Sequence, residues 1–175
     1  MKRLLLITGS PGVGKTTVLT KIVNILKERG CRVGGMLSRE VREDGRRVGF
    51  EILDISSLKR GWLAQVDQSS GPKVGKYRVN LADFETIGVK AISDSIENCD
   101  LVAIDEIGPM ELFSEKFRDA VNAAIQSQKS VVAVVHWKAQ DRLINQVKAR
   151  KDAEILEVTT ENREKLAETT ASKLT

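Results

Sequence analysis

Short apolar runs alternate with amphipathic stretches along this chain, and the alternation predicts its elements. The run Arg3 to Thr8 holds Leu4-Leu5-Leu6-Ile7, a length that suits a strand buried on both faces of a sheet. Val18, Leu19, Ile22, Val23 and Leu26 then fall at helical spacing, and Gly30 supplies the stop. Cys31 to Leu37 restarts as a strand. Asp44-Gly45 is a turn signal between Met36 to Val41 and Val48 to Ile55, which predicts a β-hairpin. A further extended pair is expected at Trp62 to Val66 and Lys76 to Asn80, joined by the polar loop Asp67 to Gly75.

The second half keeps the alternation. Phe84, Ile87, Ala91, Ile92 and Ile96 form one helical stripe, and Leu101-Val102-Ala103-Ile104 is a second buried strand that ends in Asp105-Glu106. Ser114 is placed to cap a helix carrying Phe117, Val121, Ala124 and Ile125. Val131 to Val135 is a third apolar strand, ending in His136. Leu143, Ile144 and Val147 mark a helix, Ile155 to Val158 a last strand, and Leu166, Ala167, Thr170 and Leu174 a closing helix. Strands separated by helices imply right-handed crossovers, hence an α/β fold with a mainly parallel sheet covered by helices on both faces.

Composition narrows the chemistry. The chain has 175 residues and 41% hydrophobic residues, enough for one core, so a single domain over residues 1–175 is expected. Only one histidine, His136, and two distant cysteines, Cys31 and Cys99, are present, which argues against a clustered zinc site. Aromatic residues make up 4%, too few for a base-stacking platform, so a nucleic-acid partner is not expected. The 28 Lys and Arg against 24 Asp and Glu give a net charge of +4, spread along the chain as on an ordinary soluble surface. No stretch approaches membrane-spanning length, so the expectation is a soluble, cytoplasmic protein, monomeric, with both thiols free.

Gly9-Ser10-Pro11-Gly12-Val13-Gly14-Lys15-Thr16 matches the phosphate-loop pattern G-x-x-x-x-G-K-[ST], and it lies where that loop must lie, after a buried strand and before a helix. Glycines let the backbone wrap an anion so that successive N–H groups point inward, and the helix N-terminus adds its positive end. Lys15 would reach β- and γ-phosphate oxygens, the Thr16 hydroxyl would ligate Mg²⁺, and Thr17 continues the loop. In the second element, Leu101 to Ile104 delivers Asp105 to the carboxyl edge of the sheet, where ligands bind in open α/β folds, and Ile107 and Gly108 complete it. Asp105 suits the metal, directly or through water. Glu106 suits the orientation or deprotonation of a water aimed at the γ-phosphate.

Several residues carry two readings. Glu111 is either a third carboxylate near the metal or the start of the next helix. His136, at the carboxyl end of its strand, is placed to donate to the γ-phosphate or to sense its loss. Thr159 to Asn162 either borders the base or caps the last helix, and the cap is favoured. Arg39, Arg42, Arg142 and Arg150 are candidates for a transition-state cation. Asn-Lys-x-Asp is absent from the sequence, which removes the element expected of a guanine-specific switch.

Together, the phosphate loop, Asp105 to Glu111, Val134-Val135-His136 and Val158 to Arg163 resemble the small P-loop nucleoside-triphosphatase family that includes the cancer-related nucleoside-triphosphatase. Arg39 to Arg42, Gly49-Phe50 and Val74 to Tyr77 resemble it too, so the likeness covers nearly the whole chain. It implies slow, Mg²⁺-dependent hydrolysis of nucleoside triphosphates to diphosphate and phosphate, with little base preference. It also implies a three-layer sandwich with RecA/AAA-like strand order, in which the strand ending in His136 inserts between the other two and brings His136 beside the γ-phosphate. Pro109 departs from the lysine that often follows Gly108 in the family. Two other functions fit the same loop: a small kinase passing the γ-phosphate to a nucleoside or nucleotide, and a nucleotide-gated module acting on a protein or RNA.

Overall fold

The computed structural model describes residues 2–175. β1 (Leu4–Thr8) leads through the glycine loop into α1 (Lys15–Glu28), which buries Val18, Leu19, Ile22, Val23 and Leu26, the stripe read from the sequence. β2 (Val33–Glu43) and β3 (Arg46–Asp54) form a long antiparallel hairpin, followed by β4 (Arg60–Gln65) and a small pair, β5 (Lys73–Val74) and β6 (Tyr77–Val79). A continuous helical segment opens at α2 (Leu81–Asp83), widens to a π-helical stretch at Phe84–Val89 and continues as α3 (Lys90–Asn98). β7 (Leu101–Ile107), α4 (Glu115–Gln126), β8 (Ser130–Val135), α5 (Arg142–Lys148), β9 (Ala153–Glu157) and α6 (Arg163–Lys173) complete the chain. Ser114 caps α4 as expected, its hydroxyl accepting from Phe117 N–H at 3.1 Å.

The strands form one sheet in the order β5-β6-β4-β3-β2-β7-β8-β1-β9. From β2 to β9 the pairs are parallel, and β8 lies between β7 and β1, the inserted position that the RecA-like order requires. From β2 back to β5 the pairs are antiparallel, so the sheet is mixed. Two expected strands, Cys31 to Leu37 and Met36 to Val41, are one: β2 runs unbroken from the parallel layer into the hairpin. The hairpin closes on Asp44 and Gly45, both at positive φ, the two-residue turn that matches the strand twist.

Each face of the sheet has its own core. One gathers Leu4, Leu6, Met36, Ile104, Val131 and Phe117 under α3 and α4; the other gathers Leu5, Ile7, Ala103, Val132 and Val134 under α1 and α6. The alternation of neighbours along β1 is what the two-residue periodicity of a strand demands when both faces are covered. Phe84 and Phe117, both fully buried with ring centroids 5.2 Å apart, lock the long helical segment to α4. Burial of each ring is worth roughly 1.5–3 kcal/mol. Cys31 and Cys99 are both free. Among the described residues no helix is long and apolar enough to cross a membrane.

Gly35 sets how closely β2 approaches β7. Its φ is +109°, and a Cβ there would stand 2.0 Å from the Ala103 carbonyl oxygen. Gly35→Ala should therefore destabilise the protein by at least about 1–3 kcal/mol, the cost of overpacking before backbone strain is added. Urea unfolding checks this; an unchanged midpoint would show that the strand pair can part without cost.

Candidate active site

The loop after β1 turns on Gly12 and Gly14, at φ +76° and +107°. Gly9 is needed for space, since a Cβ on it would lie 2.9 Å from the Val158 carbonyl oxygen. Gly14 stands at the N-cap of α1 and brings no side chain to bond the first amides, so these point into the loop. Lys15 Nζ donates to the Gly9 and Ser10 carbonyls, each at 3.0 Å, which folds the ammonium over the loop. Arg163, at the start of α6, donates to the Val13 carbonyl at 3.3 Å and braces the loop from behind.

Beside this loop opens a cavity of about 500 Å³. Gly12, Gly14, Lys15, Thr16 and Thr17 line it on the loop side, and Asp105, Glu106, Glu111 and His136 at the carboxyl edge of β7 and β8. The sheet brings these together because β7 and β1 flank β8 in parallel, so their ends face one way. Leu101 to Ile104 and Ile107 are buried strand side chains that do not line the cavity; they carry the two acids rather than meet a ligand. Gly9, Ser10, Pro11 and Val13 shape the loop from outside the lining. Gly108 makes room for Glu106, as a Cβ on it would fall 2.6 Å from Glu106 Oε1.

The acids are withdrawn from water. Asp105 is 1% exposed, and burial, reinforced by the nearby Glu106 charge, pushes its carboxyl up to about 7 against the opposing pull of Thr16 and Ser38. Ser38 contacts Asp105 Oδ2 through its backbone N–H and hydroxyl, at 3.4 and 3.3 Å. Burial raises Glu106 as well, and the Lys15 charge pulls it back down. Glu111, 4% exposed in the turn Glu111–Phe113, is pushed well above its ordinary 4.5 by burial and then by Glu106; among the described residues its Oε2 has no hydrogen-bond partner. Glu111 thus stands beside Glu106 and Asp105, and it also opens the short 3-10 helix Glu111–Phe113 that precedes α4, so its two sequence readings do not exclude one another.

His136 Nδ1 accepts from the Ala139 and Lys138 N–H groups at 3.0 and 3.3 Å, so the neutral ring carries its proton on Nε2. Burial first, then Lys15 and Lys148, hold its pKa below 6.5, which keeps it neutral at pH 7. Of the four candidate arginines, only Arg39 reaches the cavity, and its Nε is held 2.6 Å from Glu51. Arg42 pairs with Glu40, Arg150 with Asp152, and Arg142 opens α5 away from the lining. Thr159 to Asn162 leads into α6 with Asn162 at the N-cap; its side chain bonds no first-turn amide, and instead Oδ1 accepts from Thr159 N–H and Nδ2 donates to the Glu157 carbonyl, both at 2.8 Å. Sequence reading missed Ser38, whose one signal is a polar residue at the carboxyl end of an apolar strand.

A magnesium ion fits this donor set. Among the described residues no three His, Cys, Asp or Glu side chains form a cage of their own. Mg²⁺ commonly uses one or two protein oxygens with phosphates and water, and Thr16 next to the charge-starved Asp105 offers those two.

Residues 4–171 match the NTPase family. The chain belongs to this family. Among its curated relatives, the nucleoside-triphosphatase THEP1 of Methanosarcina acetivorans is 46% identical over 93% of this chain and 91% of its own length, and that of Thermofilum pendens 43% identical over 92% and 89%. The crystal structure of THEP1 from Aquifex aeolicus superposes with a TM-score of 0.86 at 32% identity, covering 98% of both chains. The solution structure of a human cancer-related nucleoside triphosphatase gives 0.82 at 33% identity, over 98% of this chain and 96% of that one. The matched span includes the hairpin strands as well as the phosphate loop.

Glu111 makes the stability of this NTPase family member depend on pH. Its folded pKa lies above its unfolded value, so the native state holds a proton that the unfolded chain has released. Stability is full below about pH 4.5 and falls as pH rises toward the folded pKa, by up to about 1.4 kcal/mol per pH unit. Glu111→Gln keeps the neutral shape. It should raise the melting temperature at pH 8 relative to the parent and change little at pH 4, with divalent ions chelated; equal shifts at both pH values would contradict a buried, protonated carboxyl.

Proposed function

We propose that this protein hydrolyses nucleoside 5'-triphosphates to the diphosphate and phosphate, with Mg²⁺ as cofactor, as one domain over residues 1–175 acting in the cytoplasm. The observation that carries the reading is the convergence of Lys15, Thr16, Asp105, Glu106 and His136, from three strand ends, on one cavity. The relatives' names as nucleoside-triphosphatases support it.

In this mechanism the loop amides and Lys15 hold the β- and γ-phosphates. Glu106 accepts a proton from a water aligned with the γ-phosphorus, the new oxygen–phosphorus bond forms as the bond to the β–γ bridging oxygen breaks, and the diphosphate leaves. His136 Nε2–H donates to a γ-phosphate oxygen. Thr16 and Asp105 would hold Mg²⁺, which when bound neutralises charge across the β- and γ-oxygens.

Slow turnover is supported by the state of Arg39, the one candidate arginine at the cavity, because Glu51, which also pairs with Arg60, holds it. An arginine delivered to the γ-phosphate is worth about 10³–10⁵ in rate. Weak base preference is supported by the Thr159 to Asn162 turn, whose polar groups bond one another.

Two measurements test the reading. Glu106→Gln should keep nucleotide binding and lower phosphate release by about 10²–10⁴, the usual weight of a general base; near-normal release would remove Glu106 from the role. A phosphate-release panel over ATP, GTP, CTP and UTP should show rates within an order of magnitude of one another, all lost with EDTA. Release from one base alone, or release that survives chelation, would refute the corresponding part.

A further inference from the structure

Hydrolysis needs room for one water beyond the γ-phosphate, yet the cavity continues well past Glu106. Its far wall carries Phe50 of β3, Leu63 of β4, Val74 of β5, and Pro109 and Met110 after β7, beside Arg39 and Glu40 of β2, which are paired to Glu51 and to Arg47. The sheet order sets this end of the cavity apart from the phosphate loop. The phosphate loop follows β1, and the Thr159 to Asn162 turn, the usual neighbour of a base, follows β9 at one end of the sheet. The acids at β7 lie toward the opposite side, and β3 to β5 lie beyond them. A triphosphate whose γ-phosphate meets Lys15 and Glu106 therefore points its nucleoside away from this chamber.

The wall is held in place. Phe50 packs edge-on against Tyr77 at 5.3 Å, and the Arg47 guanidinium lies over both rings at 5.3 and 5.8 Å. Arg47 also donates to Tyr77 Oη at 2.8 Å and to Glu40 at 2.9 Å, which fixes the Phe50 ring against the cavity. One polar group stands among these side chains without a partner: Glu111 Oε2, on a residue 4% exposed that lines the same cavity. Buried polar atoms without partners are rare, and one in a ligand-sized chamber marks where a ligand's donor belongs.

We infer that the chamber between Phe50, Leu63, Val74, Met110 and Glu111 seats an organic phosphoryl acceptor, a ring-bearing primary alcohol with a further hydrogen-bond donor, to which the site passes the γ-phosphate. The inference rests on the nucleoside-triphosphatase reading of the same loop and acids. The ring lies against Phe50 and Met110, its donor meets Glu111 Oε2, and its hydroxyl takes the position of the water. The hydroxyl oxygen bonds to the γ-phosphorus as the bond to the β–γ bridging oxygen breaks. The bridging oxygen leaves with the nucleoside diphosphate, and the hydroxyl proton passes to Glu106 and then to water. Hydrolysis is the same reaction with the chamber unfilled.

The test uses the intact protein with MgATP and six probes of this class: the four ribonucleosides, pyridoxine and 4-aminobenzyl alcohol. Mass spectrometry reads the monophosphate of each probe, and free phosphate is measured in parallel. At least one probe should be phosphorylated, with the ADP formed equal to the sum of phosphorylated probe and free phosphate. Val74→Trp, which fills the chamber from its edge strand, should lower the ratio of transfer to phosphate release at least tenfold, and Leu63→Phe should lower it in the same direction should the tryptophan variant fold poorly. Phosphate release with no phosphorylated probe overturns the acceptor site and leaves the hydrolase reading intact. Transfer whose ratio is unmoved by both variants also overturns the site. Transfer without phosphate release would instead correct the hydrolase reading, and absence of both would overturn both.

Discussion

Asp105 lies in the middle of the sheet, with β2 on one side and β8 on the other, and its carboxyl is almost wholly withdrawn from water. An ionised carboxylate in that position is costly unless it is hydrogen-bonded or faces a cation. The surroundings answer only in part. Ser38 offers two long contacts, Thr16 a hydroxyl, and Glu106 and Glu111 add further acid to the same space. The result is a carboxyl poised near neutrality, whose charged form is favoured by whatever positive charge is brought to Thr16. The loop geometry depends on the same need, since Lys15 is the cation that draws Glu106 back toward ionisation. That ammonium also donates to the Gly9 and Ser10 carbonyls, which ties it to the loop.

The sheet order turns this electrostatic centre into a divided site. Inserting β8 between β1 and β7 separates the loop from the acids by one strand, which leaves a gap at the carboxyl edge with His136 at its floor. Adding β3 to β6 antiparallel to β2 extends the sheet outward on the acid side alone. The cavity is therefore bounded by the phosphate loop on one side and by the hairpin strands on the other. The closeness of β2 to β7 at Gly35 matters here, because β2 carries both Ser38 and Arg39 to the site.

Much of this was legible in the sequence wherever function coincides with a local pattern. The phosphate loop, the Asp105-Glu106 strand end and His136 each follow an apolar run, and each is found where that run predicts. The hairpin turn was legible for the same reason, as Asp44-Gly45 encodes its backbone directly. The chamber was not, because Phe50, Leu63 and Val74 sit on three strands whose side chains meet only through antiparallel registers that no single stretch specifies. Ser38 depends likewise on the β2–β7 pairing. Glu111 stayed ambiguous because burial of an acid is a property of what surrounds it. Within Thr159 to Asn162 the N-cap falls on Asn162, but its side chain bonds Thr159 and Glu157 rather than the first amides of α6.

Pro109 shows how the two halves of the site constrain each other. A lysine after Gly108 would place an ammonium beside Glu106 and Glu111 and share the neutralising work of Lys15. Proline puts an apolar ring there instead, next to Met110, and the cavity gains wall at the expense of charge. Arg39 does not compensate, since Glu51 holds it. The acids are thus left to Lys15 and to whatever cation accompanies the nucleotide, so the charge-completing step and the substrate-binding step become one. Beyond Glu106 the cavity is walled by Pro109, Met110, Phe50, Leu63 and Val74, and beside such apolar side chains a polar atom without a partner, as Glu111 Oε2 is among the described residues, is costly until a donor meets it.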